Sequence, residues 1–259
     1  MARIIVITSG KGGVGKSSIV ANIGCALANE KKKVCLIDAD LGLRNLDLLL
    51  GLEGRVVYDL GDVINGVATL HQALVKDKRC PEHLFILPAC KNLDVKDVSL
   101  TYMQTIINEL QSDFEYILID SPAGIENGFI NAIHNANEAI VVINLDISSI
   151  RDADKVIGLL NKRNILDVKL IVNKVDPNLI EQENSLTVDD ALDVLGIPLL
   201  GIVYYDENIM GSGNKGIPIY YNHKSISCQC FKNIAKRING EDVQPVKYKR
   251  KSLLAKIFS

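Results

Sequence analysis

Short and almost uninterrupted apolar runs recur along the chain, and segments with helical periodicity separate most of them. Continuous apolar runs between helices are typical of parallel strands in a sheet that helices cover on both faces. The pattern therefore predicts a single α/β domain with a mainly parallel sheet, in which ligands bind at the carboxyl ends of the strands. The seven predicted strands are residues 4–7, 34–37, 84–87, 116–119, 139–143, 169–172 and 199–203.

Capping signals locate two of the helices. Ser149 with Asp152, and Thr187 with Asp190, have the spacing of a capping box, in which a hydroxyl and an acid three residues later satisfy free backbone N–H groups. We therefore expect helices to start at Ser149 and Thr187, and we expect Gly196 to end the second one.

Composition limits the class of protein. The chain has 259 residues, 47% of them hydrophobic, which is enough for one domain with a sizeable core. The sequence contains neither a secretory leader pattern nor an apolar stretch of transmembrane length, so we expect the chain to be soluble when synthesised. Several of its six cysteines lie in apolar patterns, which is typical of reduced thiols in a reducing compartment.

Charge is distributed unevenly along the chain. The net charge is −2, yet five cations and no acid follow Asp242, and without those five the chain has 24 basic and 31 acidic residues, a net charge of −7. An acidic body argues against a broad nucleic-acid-binding surface, which needs clustered lysines and arginines. The basic end favours an anionic partner surface instead.

A glycine-rich loop follows the first predicted strand and opens a helical segment. It reads Gly10-Lys11-Gly12-Gly13-Val14-Gly15-Lys16-Ser17-Ser18 and contains the phosphate-binding pattern G-x-x-x-x-G-K-[ST] in its required context. Glycines let successive N–H groups surround an anion, and the following helix adds its positive end. These residues predict a P-loop NTPase in which Lys16 reaches the β- and γ-phosphates, Ser17 ligates Mg²⁺ and Ser18 bonds an inner phosphate.

Three aspartates follow predicted strands beside this loop. Asp38 and Asp40 come after the second strand, where Mg²⁺ and an attacking water must lie. Asp120 ends the fourth strand, which is the Walker B arrangement for a carboxylate that holds Mg²⁺. Metal candidates are therefore Ser17, Asp38 and Asp120.

Base-reading candidates follow two later strands. Asn173-Lys174-Val175-Asp176 supplies an amide and a carboxylate that can read a purine edge, and its letters fit the N-K-x-D pattern of guanine-specific GTPases. Asp206, after the last predicted strand, is a second candidate. These residues alone leave ATP and GTP both open.

Residues 11–17 resemble the deviant Walker A motif of the MinD/ParA/nitrogenase-iron-protein group. The runs 38–47 and 120–126 resemble the two switch segments of the MinD family, and the resemblance to this family covers essentially the whole chain. It implies an ATP hydrolase rather than a GTPase. It also implies that Lys11 crosses a dimer interface to the partner's nucleotide and acts like an arginine finger.

The same resemblance assigns further roles. It implies that Asp40 orients the hydrolytic water, that Asp38 lies near the metal and that Asn45 contacts the nucleotide region. It further implies that Asn173 approaches adenine, and that partners bind near Arg44 and Asp152. The catalytic candidates are thus Lys11, Lys16 and Asp40.

The basic end has an amphipathic pattern. Leu253, Leu254, Ile257 and Phe258 share one face if residues 251–259 are helical. So short a helix is marginal in water, so we expect it to form on an anionic membrane, aided by Lys249, Arg250, Lys251 and Lys256. We predict an ATPase domain at 1–240, a linker at 241–250 and a membrane-targeting helix at 251–259.

Function follows from the resemblance. It implies a Mg²⁺-dependent ATPase that forms a homodimer with ATP, attaches peripherally to the inner face of a membrane and helps to place the division site. A MinE-like activator, a MinC-like inhibitor and a cytoplasmic or plastid-stromal location are implied, with no nucleic-acid partner. The alternatives are a ParA-like partition or flagellar-placement ATPase, an iron–sulfur carrier, which needs a cysteine pairing absent here, and a GTPase.

Overall fold

The computed structural model describes residues 2–40, 44–90 and 100–248. Its described strands are β1 (Arg3–Thr8), β2 (Val34–Asp38), β3 (Val75–Lys76), β4 (Leu84–Leu87), β5 (Tyr116–Asp120), β6 (Glu138–Ile143), β7 (Asp167–Val175) and β8 (Leu199–Tyr204). They form one sheet in the order β3-β4-β2-β5-β1-β6-β7-β8. Every neighbouring pair is parallel except β3 and β4, which are antiparallel.

Helices connect the strands and cover both faces of the sheet. The α-helices in the described ranges are α1 (Lys16–Asn29), α2 (Leu46–Leu50), α3 (Leu60–Ile64), α4 (Leu70–Ala73), α5 (Leu100–Leu110), α6 (Asn127–Ile133), α7 (Ile147–Lys162), α8 (Pro177–Glu181), α9 (Val188–Leu195), α10 (Asn208–Asn214) and α11 (Ile226–Ile238). Short 3₁₀ turns lie at Glu53–Arg55 and Ile219–Tyr221.

Alternating side chains of the strands build two hydrophobic layers. From β1, Ile4 and Val6 pack with α5, α6, α7 and α9, whereas Ile5 and Ile7 pack on the opposite face with α1, α2 and α11. The sheet is therefore buried on both sides, and the predicted α/β class is confirmed.

All seven predicted strands are present, and the sequence missed one. The missed strand, β3, has only two residues and lies at the antiparallel edge of the sheet. Two residues are too few to display a period, which is why no apolar run pointed to it.

One predicted helix start is confirmed and the other is wrong. Thr187 and Asp190 form the capping box of α9, and Gly196 follows that helix with a φ of 62°. The helix α7, however, begins at Ile147 with Asp146 as its N-cap, and the Asp146 side chain accepts the N–H of Ser149. Ser149 is instead buried, and its Oγ accepts the N–H of Asn144 at 3.1 Å.

The chain after α11 lies along the edge strand β8, and we call residues 243–248 the edge segment. Arg237 donates two hydrogen bonds to the Val243 carbonyl, at 3.0 and 2.7 Å. The Tyr204 hydroxyl donates to the Val246 carbonyl at 3.0 Å, and the rings of Tyr204 and Tyr248 are 5.2 Å apart. The described part of the predicted 241–250 linker is thus bonded to the body.

The predicted membrane-targeting helix at 251–259 lies outside the described residues, as do its cations from Lys249 onward. Within the described ranges, no helix has both the length and the apolar character that a bilayer crossing requires.

Candidate functional site

The phosphate-binding loop joins β1 to α1, as its sequence predicts. Gly13 and Gly15 have φ values of 76° and 102°, in the left-handed region that glycine tolerates best. Gly15 is the N-cap of α1, which begins at Lys16. A Cβ at Gly15 would lie 2.5 Å from Asn173 Nδ2, and one at Gly10 would overlap the backbone of Asp152. Glycine is therefore required at both positions by close packing.

Lys16 lies in the floor of the loop and is only 8% exposed. Its Nζ donates to Ser9 Oγ at 3.1 Å, and Ser9 Oγ in turn donates to the Lys11 carbonyl at 2.8 Å. Burial lowers the pKa of Lys16, while the carboxylates of Asp120 and Asp40 counteract this shift. A phosphate group that entered the loop would therefore meet a poorly solvated cation.

Asp120 ends β5 directly beside Asp38, with which it pairs across the sheet. It is fully buried, and neither carboxylate oxygen has a hydrogen-bond partner among the described residues. Burial and the nearby Asp38 carboxylate raise the pKa of Asp120 to about 8. The carboxylate oxygens of Asp120 and the nearby hydroxyl of Ser17 are oxygen ligands of the kind that Mg²⁺ prefers.

Asp38 has a structural role that the sequence did not reveal. Its Oδ1 accepts the N–H of Asp40 at 3.1 Å, and its Oδ2 accepts those of Asn45 and Leu46 at 3.0 and 3.1 Å. Burial raises the pKa of Asp38 to about 6, although these three donors favour its charged form. Asp38 therefore holds both ends of the segment that leads into α2, and its role near the metal stays a prediction.

Asp40 lies half-buried at the mouth of the loop. Burial raises the pKa of its carboxyl group, and the Lys16 ammonium opposes that rise. Asp40 thus faces the same cation as Asp120, which is compatible with the predicted role in orienting water. The next three residues, 41–43, lie outside the described ranges.

Lys11 points away from its own loop. Its Nζ donates to Ser148 Oγ at 2.8 Å and lies 3.4 Å from Asp146 Oδ1, both at the start of α7. Burial acts to raise the pKa of Asp146, but hydrogen bonds from Ser148 and Ser149 and the charge of Lys11 lower it overall. The second lysine of the motif is therefore separate from the Lys16 site.

The predicted base-reading residues have different surroundings. Asn173 is buried, and its Nδ2 donates to the Val14 carbonyl at 2.7 Å. Asp176 caps α8, accepting the N–H of Asn178 at 2.9 Å. Asp206 accepts from Asn208 N at 2.9 Å and from Ser225 Oγ at 2.5 Å. Both carboxylates are thus already bonded to the protein, and the contact of Asp206 with a base stays a prediction.

A cleft of about 630 Å³ opens beside the loop between α2 and α10. Ser17, Ser18 and Asn45 line its inner end, and Leu48 and Met210 line its apolar walls. Sequence reasoning missed this cleft because the two helices are 162 residues apart in the chain and have too few residues for a clear period. It also missed Ser9, Ser148 and Lys174, whose contacts depend on tertiary structure.

The family model "CobQ/CobB/MinD/ParA nucleotide binding domain" matches residues 5–219. The septum site-determining protein MinD of Synechocystis is 50% identical over 244 residues, which cover 94% of this chain and 91% of that protein.

Solved structures are also similar to this chain. MinD in the MinC:MinD cell division protein complex of Aquifex aeolicus gives a TM-score of 0.89 at 43% identity, over 95% of this chain and 99% of that chain. MinD of Pyrococcus horikoshii, complexed with Mg-ADP, gives a TM-score of 0.82 at 32% identity, over 100% of this chain and 99% of that chain. Together with the loop and its aspartates, these matches show that the chain belongs to the MinD family and is a P-loop ATP hydrolase.

Proposed function

We propose that this chain is a nucleotide-operated membrane switch that helps to place the division site. It forms a homodimer with ATP, attaches to the membrane through residues 251–259, and returns to the monomeric, detached state when ATP is hydrolysed to ADP and phosphate. The observation that carries the proposal is the position of Lys11. Lys16 already lies in the phosphate site, whereas Lys11 is half-exposed and bonded to Ser148 and Asp146 outside that site, so its ammonium group can reach a second copy once it leaves these two partners.

The residues divide the work of hydrolysis. The backbone amides of residues 10–16, Lys16 and Ser18 bind the phosphates, and Ser17 and Asp120 would hold Mg²⁺ with Asp38 beside them. When bound, Mg²⁺ would supply positive charge that offsets the negative charge of the phosphates. Asp40 accepts a hydrogen bond from water and orients the water oxygen toward the γ-phosphorus. The water oxygen bonds to the γ-phosphorus as the bond from that phosphorus to the bridging oxygen breaks, ADP leaves with the bridging oxygen, and the proton lost by the water passes to the released phosphate. Lys11 of the second copy offsets the charge that develops.

Asn173 is proposed to approach the base. Its Nδ2 gives one hydrogen to the Val14 carbonyl, which leaves a second N–H and the acceptor Oδ1 for a ligand. The Oδ1 suits the 6-amino group of adenine and the remaining N–H suits the 6-oxygen of guanine, so this amide alone does not select the base. The choice of ATP rests instead on membership of an ATPase family, although the four letters at 173–176 fit the GTPase pattern.

Membrane attachment is proposed from the tail. Four apolar side chains and clustered cations give one tail weak and reversible affinity for an anionic bilayer. Two tails on one dimer make the second contact intramolecular, which raises avidity by about 10²–10⁴. Dimerisation with ATP therefore controls how long the protein stays on the membrane.

Partners and location are proposed from the relatives. The Aquifex aeolicus relative forms a complex with MinC, and we propose a MinC-like inhibitor and a MinE-like activator for this chain, with contacts near Arg44 and Asp152. Peripheral attachment would be to the inner face of the bacterial membrane or, in a plastid, to the stromal side. Abundant Asn, Ile and Lys suit an AT-rich genome such as that of a plastid.

One sedimentation experiment tests the cycle. Purified chain is mixed with anionic vesicles and ATP, ADP or GTP in parallel, and the pelleted fraction is measured. We expect pelleting with ATP only, and loss of pelleting in Lys11→Ala with retention of nucleotide binding. Lys162→Ala, an exposed lysine on α7 away from the loop, is the matched control.

Two results would contradict the proposal. The first is equal pelleting with ATP and ADP, because attachment would then be independent of the nucleotide. The second is a chain that stays monomeric by light scattering when saturated with a non-hydrolysable ATP analogue. Pelleting with GTP alone would overturn the choice of base and leave the switch itself intact.

A further inference from the structure

The strand β7 is irregular where it reaches the phosphate-binding loop. Its pairing with β8 shifts register between Val172 and Val175, so Asn173 and Lys174 form a bulge. Lys174 has a φ of 54°, in the left-handed region that costs a non-glycine residue conformational free energy. Such a conformation persists only where surrounding contacts compensate for it, and it is frequent at functional sites.

The bulge directs two consecutive side chains onto two consecutive carbonyls of the loop. Lys174 Nζ donates to the Gly13 carbonyl at 2.8 Å, and Asn173 Nδ2 donates to the Val14 carbonyl at 2.7 Å. Ser9 Oγ holds the Lys11 carbonyl in the same way at 2.8 Å. Three carbonyls of the loop therefore accept hydrogen bonds from side chains, two of them from the bulge in β7.

The orientation of these carbonyls matters because the loop binds anions through backbone N–H groups. In each peptide the carbonyl points opposite to the N–H, so a carbonyl held outward keeps the neighbouring N–H directed inward. A peptide that rotated would instead direct a carbonyl oxygen toward the phosphate.

Among the glycines of the loop, Gly12 and Gly13 have the most open surroundings. Neither has an atom within 4 Å of the position that a Cβ would occupy, whereas Gly10 and Gly15 do. Glycine also allows its flanking peptides to rotate freely. The hydrogen bond from Lys174 thus restrains a peptide that neighbouring side chains do not.

We propose that Lys174 is a positioning residue for nucleotide: the bulge in β7 holds the Gly13 carbonyl outward and so keeps the loop in its anion-binding form before the nucleotide arrives. The proposal rests on nucleotide binding by this ATPase and not on the dimer or membrane cycle. It gives Lys174 a role in the affinity for nucleotide and none in contact with the reacting atoms.

The test uses the purified full chain and Mg-ADP, which involves neither hydrolysis nor dimerisation. Titration calorimetry gives the Kd, and steady-state kinetics with ATP give KM and kcat. Lys174→Met removes the donor and keeps the length of the side chain, and we expect the Kd and KM to rise about ten-fold, as the loss of one hydrogen bond predicts. We expect kcat to stay within about two-fold of the parent value, since Lys174 makes no contact with the reacting groups.

Two further variants separate the donor from the backbone. Lys174→Arg keeps a donor and should restore the Kd to within about three-fold of the parent. Lys174→Gly relieves the left-handed conformation but lacks the donor, so it should bind ADP as weakly as Lys174→Met. Lys162→Met is the matched control for loss of an exposed lysine, and it should leave the Kd unchanged.

Thermal unfolding without nucleotide identifies variants that are simply unstable. The proposal is overturned if Lys174→Met binds Mg-ADP as tightly as Lys162→Met, or if Lys174→Arg is no better than Lys174→Met. Normal binding by Lys174→Gly would also overturn it, because the donor would then be unnecessary. A fall in kcat at unchanged KM would indicate a catalytic role instead.

Discussion

At the residue scale, the most consequential group is Asp120. Burial and the neighbouring Asp38 carboxylate favour the neutral form of this carboxyl group, against the opposing effects of the Ser17 hydroxyl and the Lys16 ammonium, and its pKa of about 8 lies far above that of an exposed aspartate. The site is therefore costly in the absence of metal, and ligand binding relieves that cost.

The pKa of Asp120 predicts how stability depends on pH. The folded, nucleotide-free protein keeps the proton that the unfolded chain releases at a pH near 4. The stabilisation by this proton is complete below pH 4 and is lost as the pH rises toward about 8. Asp120→Asn has a side chain that is neutral at every pH, so it should exceed the parent in free energy of unfolding by more than about 1 kcal/mol at pH 8, with a smaller gain at pH 5.

Urea unfolding without Mg²⁺ or nucleotide at pH 5, 7 and 8 checks this prediction. Asp193→Asn, at an exposed position on α9, is the matched control and should show no such trend. A stability difference between Asp120→Asn and the parent that is the same at all three pH values would contradict the account.

Asp40 carries a separate prediction about catalysis. Asp40→Ala should bind ATP and dimerise but release phosphate at less than about 1% of the parent rate, because no carboxylate orients the water. Phosphate release and light scattering with ATP measure the two properties together. A normal rate of release in Asp40→Ala would assign the role to another residue.

The sequence predicted which residues lie together beside the loop better than it predicted their hydrogen bonds. The loop and Asp120 were identified because each has a motif with local spacing. The three backbone donors on Asp38 were not predictable, because the sequence has no motif that marks the N–H groups of Asp40, Asn45 and Leu46 as its partners. The contact between Lys11 and Ser148 joins residues that are 137 positions apart.

At the scale of elements, the short helix α2 is fixed at both ends. Its start is held by Asp38, and the carbonyl of its last residue, Leu50, accepts a hydrogen bond from Arg79 at 2.7 Å. Arg79 also donates to the Gly216 carbonyl at 3.2 Å, next to the 3₁₀ turn after α10. One arginine thus joins both walls of the cleft beside the loop.

Arg79 forms a largely buried ion pair, which predicts a large effect of its removal. Its guanidinium lies 2.5 Å from the fully buried Asp77 carboxylate. Arg79→Met leaves that carboxylate unpaired, so the free energy of unfolding should fall by about 3–5 kcal/mol. The double variant with Asp77→Asn should recover part of the loss in urea unfolding. An additive loss in the double variant would show that the two side chains do not interact.

Elements were predictable where their pattern is long enough to be read. Seven apolar runs located seven strands, but β3 has only two residues, and the N-cap of α7 lies three residues before the predicted one. The latter error arose because both Asp146 and Ser149 are capping residues by type. Only the structure shows that Ser149 is turned inward to bond Asn144.

At the scale of the whole molecule, we propose that one domain and its C-terminal tail combine two activities, ATP hydrolysis and membrane attachment. Removing residues 252–259 should therefore abolish vesicle sedimentation with ATP while basal phosphate release stays within about two-fold of the parent. A variant with Leu253, Leu254, Ile257 and Phe258 all changed to Ser keeps the charge and should behave like the truncation. Sedimentation that persists in both variants would move the attachment site to another part of the chain.

The edge segment determines where the chain leaves the body. Tyr248 packs on Tyr204, the last residue of β8. The chain therefore leaves the domain at the edge of the sheet where the parallel strands end, which is also the edge that carries the phosphate-binding loop. Leu253 lies five residues after Tyr248 in the sequence, and five residues of fully extended chain span at most about 18 Å. If residues 251–259 bind at the lipid headgroups, the edge of the sheet that carries the phosphate-binding loop lies close to the bilayer surface. Any protein that acts on the bound nucleotide must then approach sideways, along the plane of the membrane.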